Sequence, residues 1–285
     1  MIPNYPKIRR SEKLREKLDQ YGIEHLSASS LNEYINDPAK WVMKYILKIK
    51  TSGPAMWRGN AVENAMKNII LANDGDQEYT LENAVSTGVK VFEEEEKIWL
   101  SSRDGEVSED YSERRDKEFE FIEPSIRAGF DFFKAFPRAS FQRRFDYDLG
   151  IEVRAIGYID FYLDGVGIVE LKTSKQIPTE LKDSVRRQVA LQCVATNSDA
   201  RIVYLSRPTK NKSHEGIRIF DMKLEEASRL VDDYRMAARS IRRLLMNTST
   251  VEEIIEFVFP NYDSFLWDEE EKEIARKIWT FGKVA

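Results

Sequence analysis

The stretches Gly157-Tyr158-Ile159-Asp160 and Val169-Glu170-Leu171-Lys172-Thr173-Ser174 decide how this chain folds. Ile151 to Leu163 and Val166 to Leu171 are rich in β-branched and aromatic residues, and Asp164-Gly165 between them is a turn signal. The pattern predicts a β-hairpin. A loop centred near Gly165 sets Asp160 opposite Glu170, since each lies five positions from that centre. Directly opposed side chains on antiparallel strands have Cβ atoms roughly 4.5–5.5 Å apart, and like charges there repel. Lys172 lies two residues past Glu170 and shares its face. Two acids facing each other beside a lysine, on an apolar hairpin, point to a divalent cation. The alternative is a cross-strand ion pair on a solvated sheet.

Composition narrows what that cation can be. The chain has one cysteine, Cys193, and two histidines, His25 and His214. That excludes an intrachain disulfide and a four-cysteine zinc or iron–sulfur site, and leaves too few ligands for zinc of the usual kind. The expected metal is hard and oxygen-ligated: magnesium, with manganese able to substitute. The 285 residues, 42% hydrophobic with five tryptophans, suffice for a sizeable core. There is no apolar run of about 18 residues and no signal pattern in Met1-Ile2-Pro3-Asn4-Tyr5-Pro6. The expectation is therefore a cytoplasmic protein with no membrane partner.

The net charge of −5 argues only mildly against nucleic acid, because the charges are segregated. Acids gather at Glu93–Glu96, Glu106–Asp110 and Asp268–Glu273. Bases gather at Lys40 to Lys50, Arg186-Arg187, Arg207 to Lys212 and Arg235 to Arg243. Any one basic cluster reads as a solvated face. Clusters on both sides of the acidic hairpin favour a polyanionic partner.

Along the chain, helical segments are predicted over Ser11 to Tyr21, Leu31 to Asn36 (with N-cap hydroxyls in Ser27-Ala28-Ser29-Ser30), a stretch carrying Trp41, Tyr45 and Ile46, and Gly59 to Ala72. Leu81 to Phe136 is charged and helical in period, with a loop at Gly105 between two helices. Strands follow at Arg144 to Leu149, in the hairpin and at Arg201 to Leu205, with a helix of about Glu180 to Thr196 before the last. The tail, Leu224 to Asn247 and Val251 to Trp279, is again helical. The simplest account is one α/β (α+β) unit over residues 1–285. Its core spans about 26–72 and 142–222, with a helical insertion over 73–141 and a helical tail over 223–285.

Asp160, followed ten residues later by Glu170-Leu171-Lys172, is a D…ExK pattern, and the chain resembles the PD-(D/E)XK nuclease superfamily. Three further elements resemble its RecB-like and phage-lambda-type exonuclease branch. They are Ser27 to Leu31 with Tyr34, Pro38, Trp41 and Tyr45; Arg58-Gly59-Asn60-Ala61-Val62-Glu63 as a first catalytic helix; and Arg187-Gln188-Val189-Ala190-Leu191-Gln192 as a glutamine motif. The resemblance implies a restriction-endonuclease-like fold, a mixed sheet made of an antiparallel three-strand meander followed by helix and strand.

It also implies roles. Glu63, Asp160, Glu170 and the backbone carbonyl of Leu171 would hold magnesium. Lys172 would orient or deprotonate the attacking water or stabilise developing charge, and Gln188 would brace the site. Contacts to DNA would come from Ser27, Ser29, Ser30, Arg58, Thr173, Ser174, Arg186, Arg187 and Gln192. Alternatives stand beside these roles: helix capping for the serines, and ordinary helix surface for Glu63, Gln188, Gln192 and the arginines. Trp41 and Tyr45 read as core or as base-stacking residues. The chain departs from the branch in Glu63, where many members have histidine, in Gln192, where the motif usually ends in tyrosine, and in Phe161, where arginine is frequent. It lacks the C-terminal cysteines of iron–sulfur members, and Phe259-Pro260-Asn261-Tyr262 stands in the comparable place. The implied activity is a metal-dependent DNA exonuclease acting on linear duplex or single-stranded ends in recombination or repair, as in phage-encoded relatives. A single-strand annealing protein or recombinase is the implied partner, and a homo-oligomer the implied assembly. A restriction or junction-resolving endonuclease, or a DNA-binding subunit with a vestigial site, is the alternative.

Overall fold

The computed structural model describes residues 10–49, 52–75, 77–102, 107–163, 165–208, 215–264 and 266–281. The loop residue Gly105, the turn residue Asp164, and Lys50, Glu106, Lys210, Lys212 and His214 lie outside that set, as does the stretch 1–9.

The frame is a five-stranded sheet in the order β1-β2-β3-β4-β5: Ala139–Asp148, Arg154–Leu163, Gly167–Thr173, Ala200–Leu205 and Ile217–Met222. Neighbours pair antiparallel except β3 and β4, which run parallel. A parallel pair needs a crossover, and here it is the helix α8, Asp183–Thr196. β3 is central and buried on both faces, which is why Val169-Glu170-Leu171 lacks any exposed position.

Each face carries its own core. On one side Ile168, Ile202 and Tyr204 pack with Val189, Leu191 and Cys193 of α8, and with Val231, Tyr234 and Ile241 of α9 (Leu224–Met246). α1 (Arg10–Gln20) and α2 (Ala28–Asn36) extend that layer through Leu14, Leu18 and Leu31. On the other side Val169, Leu171, Val203 and Leu205 pack with Val62, Met66 and Ile69 of α4 (Pro54–Asp74). The expected insertion joins this second core. Ala84 and Phe92 of α5 (Leu81–Ser101) and Ile122, Ile126 and Phe133 of α7 (Ile122–Lys134) are buried in it, with α6 (Tyr111–Phe119) between them.

Local sequence sets the boundaries. Ser27 and Ser30 form a reciprocal capping box at α2. Asp37 ends α2 in an extended conformation and caps α3 (Pro38–Trp41), accepting from Ala39 and Lys40 N–H at 3.0 and 3.1 Å. α3 runs straight into a π-helical turn, Val42–Ile46, and Trp41 is fully buried, so the core reading of that residue holds.

Four expectations need correction. The insertion holds three helices, not two, because Pro124 is tolerated only in a first turn and forces a new start at Ile122. β1 begins at Ala139, earlier than Arg144, and β5 was not anticipated; it is a half-exposed edge strand with a weak apolar signal. The tail beyond Val251 is two helices, α10 (Val251–Phe257) and α11 (Glu269–Phe281), separated by an extended stretch ahead of Pro260.

Gly157 sits on the hairpin where a Cβ would run into the Phe145 ring across the β1–β2 ladder. Gly157→Ala is expected to destabilise the protein by about 1–3 kcal/mol through overpacking. Phe145→Leu in the same chain should recover part of the loss. Urea denaturation of the two variants checks this, and an unchanged midpoint for the single variant would refute it.

Candidate active site

Glu170 is the best-buried charge among the described residues, 1% exposed in the central strand. Its Oε1 accepts from Lys172 Nζ at 2.5 Å and from Gln188 Nε2 at 2.7 Å; its Oε2 accepts from Gln192 Nε2 at 2.7 Å. Lys172 also donates to Gln188 Oε1 at 3.2 Å. An isolated ionised carboxylate at this depth is prohibitive, and three donors in fixed positions make it tolerable. The two glutamines lie one turn apart on α8, so a single helix supplies both. Gln192 is 1% exposed, and its own amide oxygen is without a partner among the described residues. Burial works against the charge on Lys172, but the Glu170 carboxylate outweighs it and raises the lysine's pKa, so Lys172 is a cation at neutral pH.

Asp160 lies where the sheet changes. The β2–β3 register runs to Phe161 opposite Val169. One further step sets Asp160 against Glu170, and there the ladder opens. On the other flank, the β1–β2 ladder skips the pair formed by Gln142 and Asp160 and resumes at Arg143 opposite Ile159. Gln142 has φ +49, a left-handed conformation in mid-strand, which for such a side chain costs on the order of 1–3 kcal/mol. The two strands also exchange faces at this point. Phe145 and Ile159 pack in the α8 core, whereas Phe141, Phe161 and Leu163 pack in the α4 core, although a regular strand would put all five on one face.

Glu63 enters from α4 on the far side, and its Oε1 accepts from Gln142 Nε2 at 3.0 Å. Glu63, Gln142 and Asp160 line one small cavity of 140 Å³. Burial, and then the charges of Glu170 and Glu63, hold the Asp160 carboxyl well above the ordinary range, although the Leu171 N–H and Lys172 pull it down. Burial and Glu170 likewise raise Glu63, against the pull of Gln142, Lys172 and Lys67. The structure thus brings together five residues expected at the site, Glu63, Asp160, Glu170, Lys172 and Gln188; Gln192, expected to contact DNA, is buried against Glu170 instead. Leu171 turns its side chain into the α4 core.

The residues expected to contact DNA are largely engaged elsewhere. Arg58 is 7% exposed; it ion-pairs with Glu118 of α6 and donates to the Thr173 hydroxyl and carbonyl at 3.4 and 3.3 Å. Arg187 is buried against Asn32 (3.0 Å) and Asp233 (3.5 Å). Arg186 pairs with Glu226 at 2.8 Å. Ser27 and Ser30 are capping groups, which leaves Ser29 exposed. Ser174 closes a local turn onto the Gln176 carbonyl. Two residues were missed, Gln142 and Lys67. The second carried a readable signal, one turn from Glu63 on the same helix face; the first carried none.

The donor set suits a hard cation. Three carboxylates converge and repel one another, and no imidazole is among them. The protein's thiol, Cys193, is buried in α8, its pKa pushed up to about 12 by burial. A dication of the magnesium or manganese type would relieve the repulsion. Among the described residues these acids do not stand as a finished cage of three; both oxygens of Glu170 accept hydrogen bonds, from Lys172, Gln188 and Gln192.

A family model described as the PD-(D/E)XK nuclease superfamily matches residues 25–261. No curated protein matches the chain. Among solved structures, the crystal structure of a "Putative exonuclease" from Eubacterium rectale superposes with a TM-score of 0.50 at 14% sequence identity, covering 88% of this chain and 89% of that one. At that identity the likeness is one of fold.

The crowded acids have a measurable signature. Because folded Asp160 binds its proton more tightly than the unfolded chain does, stability falls as pH rises from the unfolded carboxylate value, about 3.9, towards the folded one. Asp160→Asn in EDTA at neutral pH should raise Tm by about 2–4 °C for each kcal/mol of repulsion relieved, and the gain should close below about pH 4. Thermal melts across pH decide it; identical Tm values at pH 7 would mean the carboxylates do not repel.

Proposed function

The chain belongs to the PD-(D/E)XK nuclease superfamily, and from that premise we propose that it is a metal-dependent deoxyribonuclease that degrades linear DNA from its ends, in recombination or repair of the phage type. The observation that carries the reading is the buried Glu170–Lys172 pair facing Asp160 across an opened ladder. A structural ion pair has no need of a second and third acid beside it. The fold likeness to a protein described as an exonuclease favours end-directed digestion over cutting within a duplex.

Asp160, Glu170, Glu63 and the Leu171 carbonyl would hold magnesium, with manganese able to replace it. Bound there, the metal supplies charge neutralisation on the scissile phosphate and a water of lowered pKa. The rest falls to the chain. Gln188 and Gln192 fix the Glu170 carboxylate so that its oxygens do not swing. Lys172, protonated and anchored at two points, stabilises the negative charge that builds on the phosphate oxygens and orients the attacking water. A single-strand annealing protein or recombinase would take the product of such a reaction, and a homo-oligomer would hold it on the DNA.

The test is digestion of end-labelled linear duplex alongside covalently closed circular DNA. Magnesium or manganese should support loss of the linear form, EDTA should stop it, and the closed circle should survive. Lys172→Ala should slow the linear reaction by about 10²–10³-fold, and Asp160→Ala at least as much. Full activity in either variant would sink the site assignment, and cutting of the closed circle would replace the exonuclease with an endonuclease.

A further inference from the structure

We propose that Lys67 binds a phosphate of the DNA strand next to the one being cut, forming a second anion subsite across the acid cluster from Lys172. The proposal rests on the nuclease reading above and extends it to a residue with no role so far.

Lys67 follows Glu63 by one helical turn on α4, the spacing at which a glutamate and a lysine ordinarily pair. They do not pair here. The Glu63 Oε1 atom is taken by Gln142 Nε2 at 3.0 Å, and the Lys67 ammonium lies instead over the Phe141 ring, 5.4 Å from its centroid. Among the described residues Lys67 makes no ion pair. A half-buried lysine whose charge reaches Glu63 but which makes no ion pair with it, and whose ammonium rests on an aromatic ring, is poised for an anion from outside.

The space for that anion is present. The 140 Å³ cavity beside Asp160 is lined by Glu63, Asn64, Lys67, Phe141 and Gln142, so Lys67 shares it with two of the acids. Lys172 stands on the α8 side of the opened ladder, bonded to Glu170 and Gln188; Lys67 stands on the α4 side. A polyanion with charges at regular spacing fits a site with a cation on each side of the acids better than a single small phosphate does. The residue that makes this possible is Gln142. Its amide holds Glu63 Oε1 from the strand side while Lys67 turns to the Phe141 ring, which makes Gln142 a positioning residue rather than a group that touches DNA.

The experiment measures binding apart from cleavage. In an Asp160→Asn background with magnesium present, the affinity for a fluorescein-labelled duplex is measured by anisotropy from about 50 to 200 mM salt. Adding Lys67→Met, which keeps the aliphatic stem, should lower the slope of log K against log salt by about 0.9, the loss of one phosphate contact. Lys67→Arg should leave the slope unchanged. With Asp160 intact, Lys67→Met should raise KM about tenfold while kcat stays within about twofold, the pattern of a binding contact outside the chemical step. An unchanged slope in Lys67→Met with normal folding by circular dichroism would overturn the subsite while leaving the nuclease reading in place. Failure of both the parent and the wild-type protein to bind DNA at any salt would overturn the two together.

Discussion

Keeping one carboxylate charged in the middle of a sheet is the constraint on which the rest of this structure depends. Glu170 sits on a central strand with a neighbour on each side, so water cannot reach it and every compensating donor has to come from the protein. The parallel pairing of β3 with β4 requires a crossover, and the crossover helix lies over the face that Glu170 shows. Two glutamines one turn apart on that helix, with the lysine two residues along the same strand, then meet all the needs of the carboxylate. Strand order, helix placement and side-chain chemistry are thus one solution, not three.

The same constraint explains the irregular geometry on the other flank. A second acid directly opposite Glu170 in a regular ladder would be held at the closest cross-strand distance with no relief. The sheet opens there instead, Gln142 takes up a left-handed backbone conformation, and β1 and β2 exchange the faces they present. Phe141 and Phe161 thereby join the α4 core, which holds the distortion in place with buried aromatic area. The strain is local and the packing that sustains it is not, which is the ordinary arrangement at functional sites.

How much of this is legible in the sequence follows the range of the interactions concerned. The hairpin register depends on a short turn and on alternation, so Asp160 opposite Glu170 follows from counting. The grouping of Gln188 with Gln192 follows from helical period. The left-handed Gln142 does not, because no residue-level preference marks it; glutamine is not a usual occupant of that conformation, and only the tertiary demand at Asp160 puts it there. β5 was missed for a related reason. A half-exposed edge strand shows little apolar contrast, and its pairing with β4 is settled by the sheet rather than by its own composition.

The charges are the clearest case of sequence information that does not transfer. Basic clusters flank the acidic hairpin, yet a cation contributes to binding only if no acid has already taken it. Arg58 is held by Glu118, which also holds Lys175. Arg187 is enclosed by Asn32 and Asp233, and Arg186 leans on Glu226. Glu118 belongs to α6, inside the expected insertion, so the insertion is fastened to the end of β3 through Arg58 and Thr173 rather than standing apart from the core. What looks in the sequence like a phosphate-binding arginine is a structural bolt between α4, α6 and β3. The cations left for a polyanion are those whose nearest acids have been given other partners, and that assignment exists only once the chain has folded.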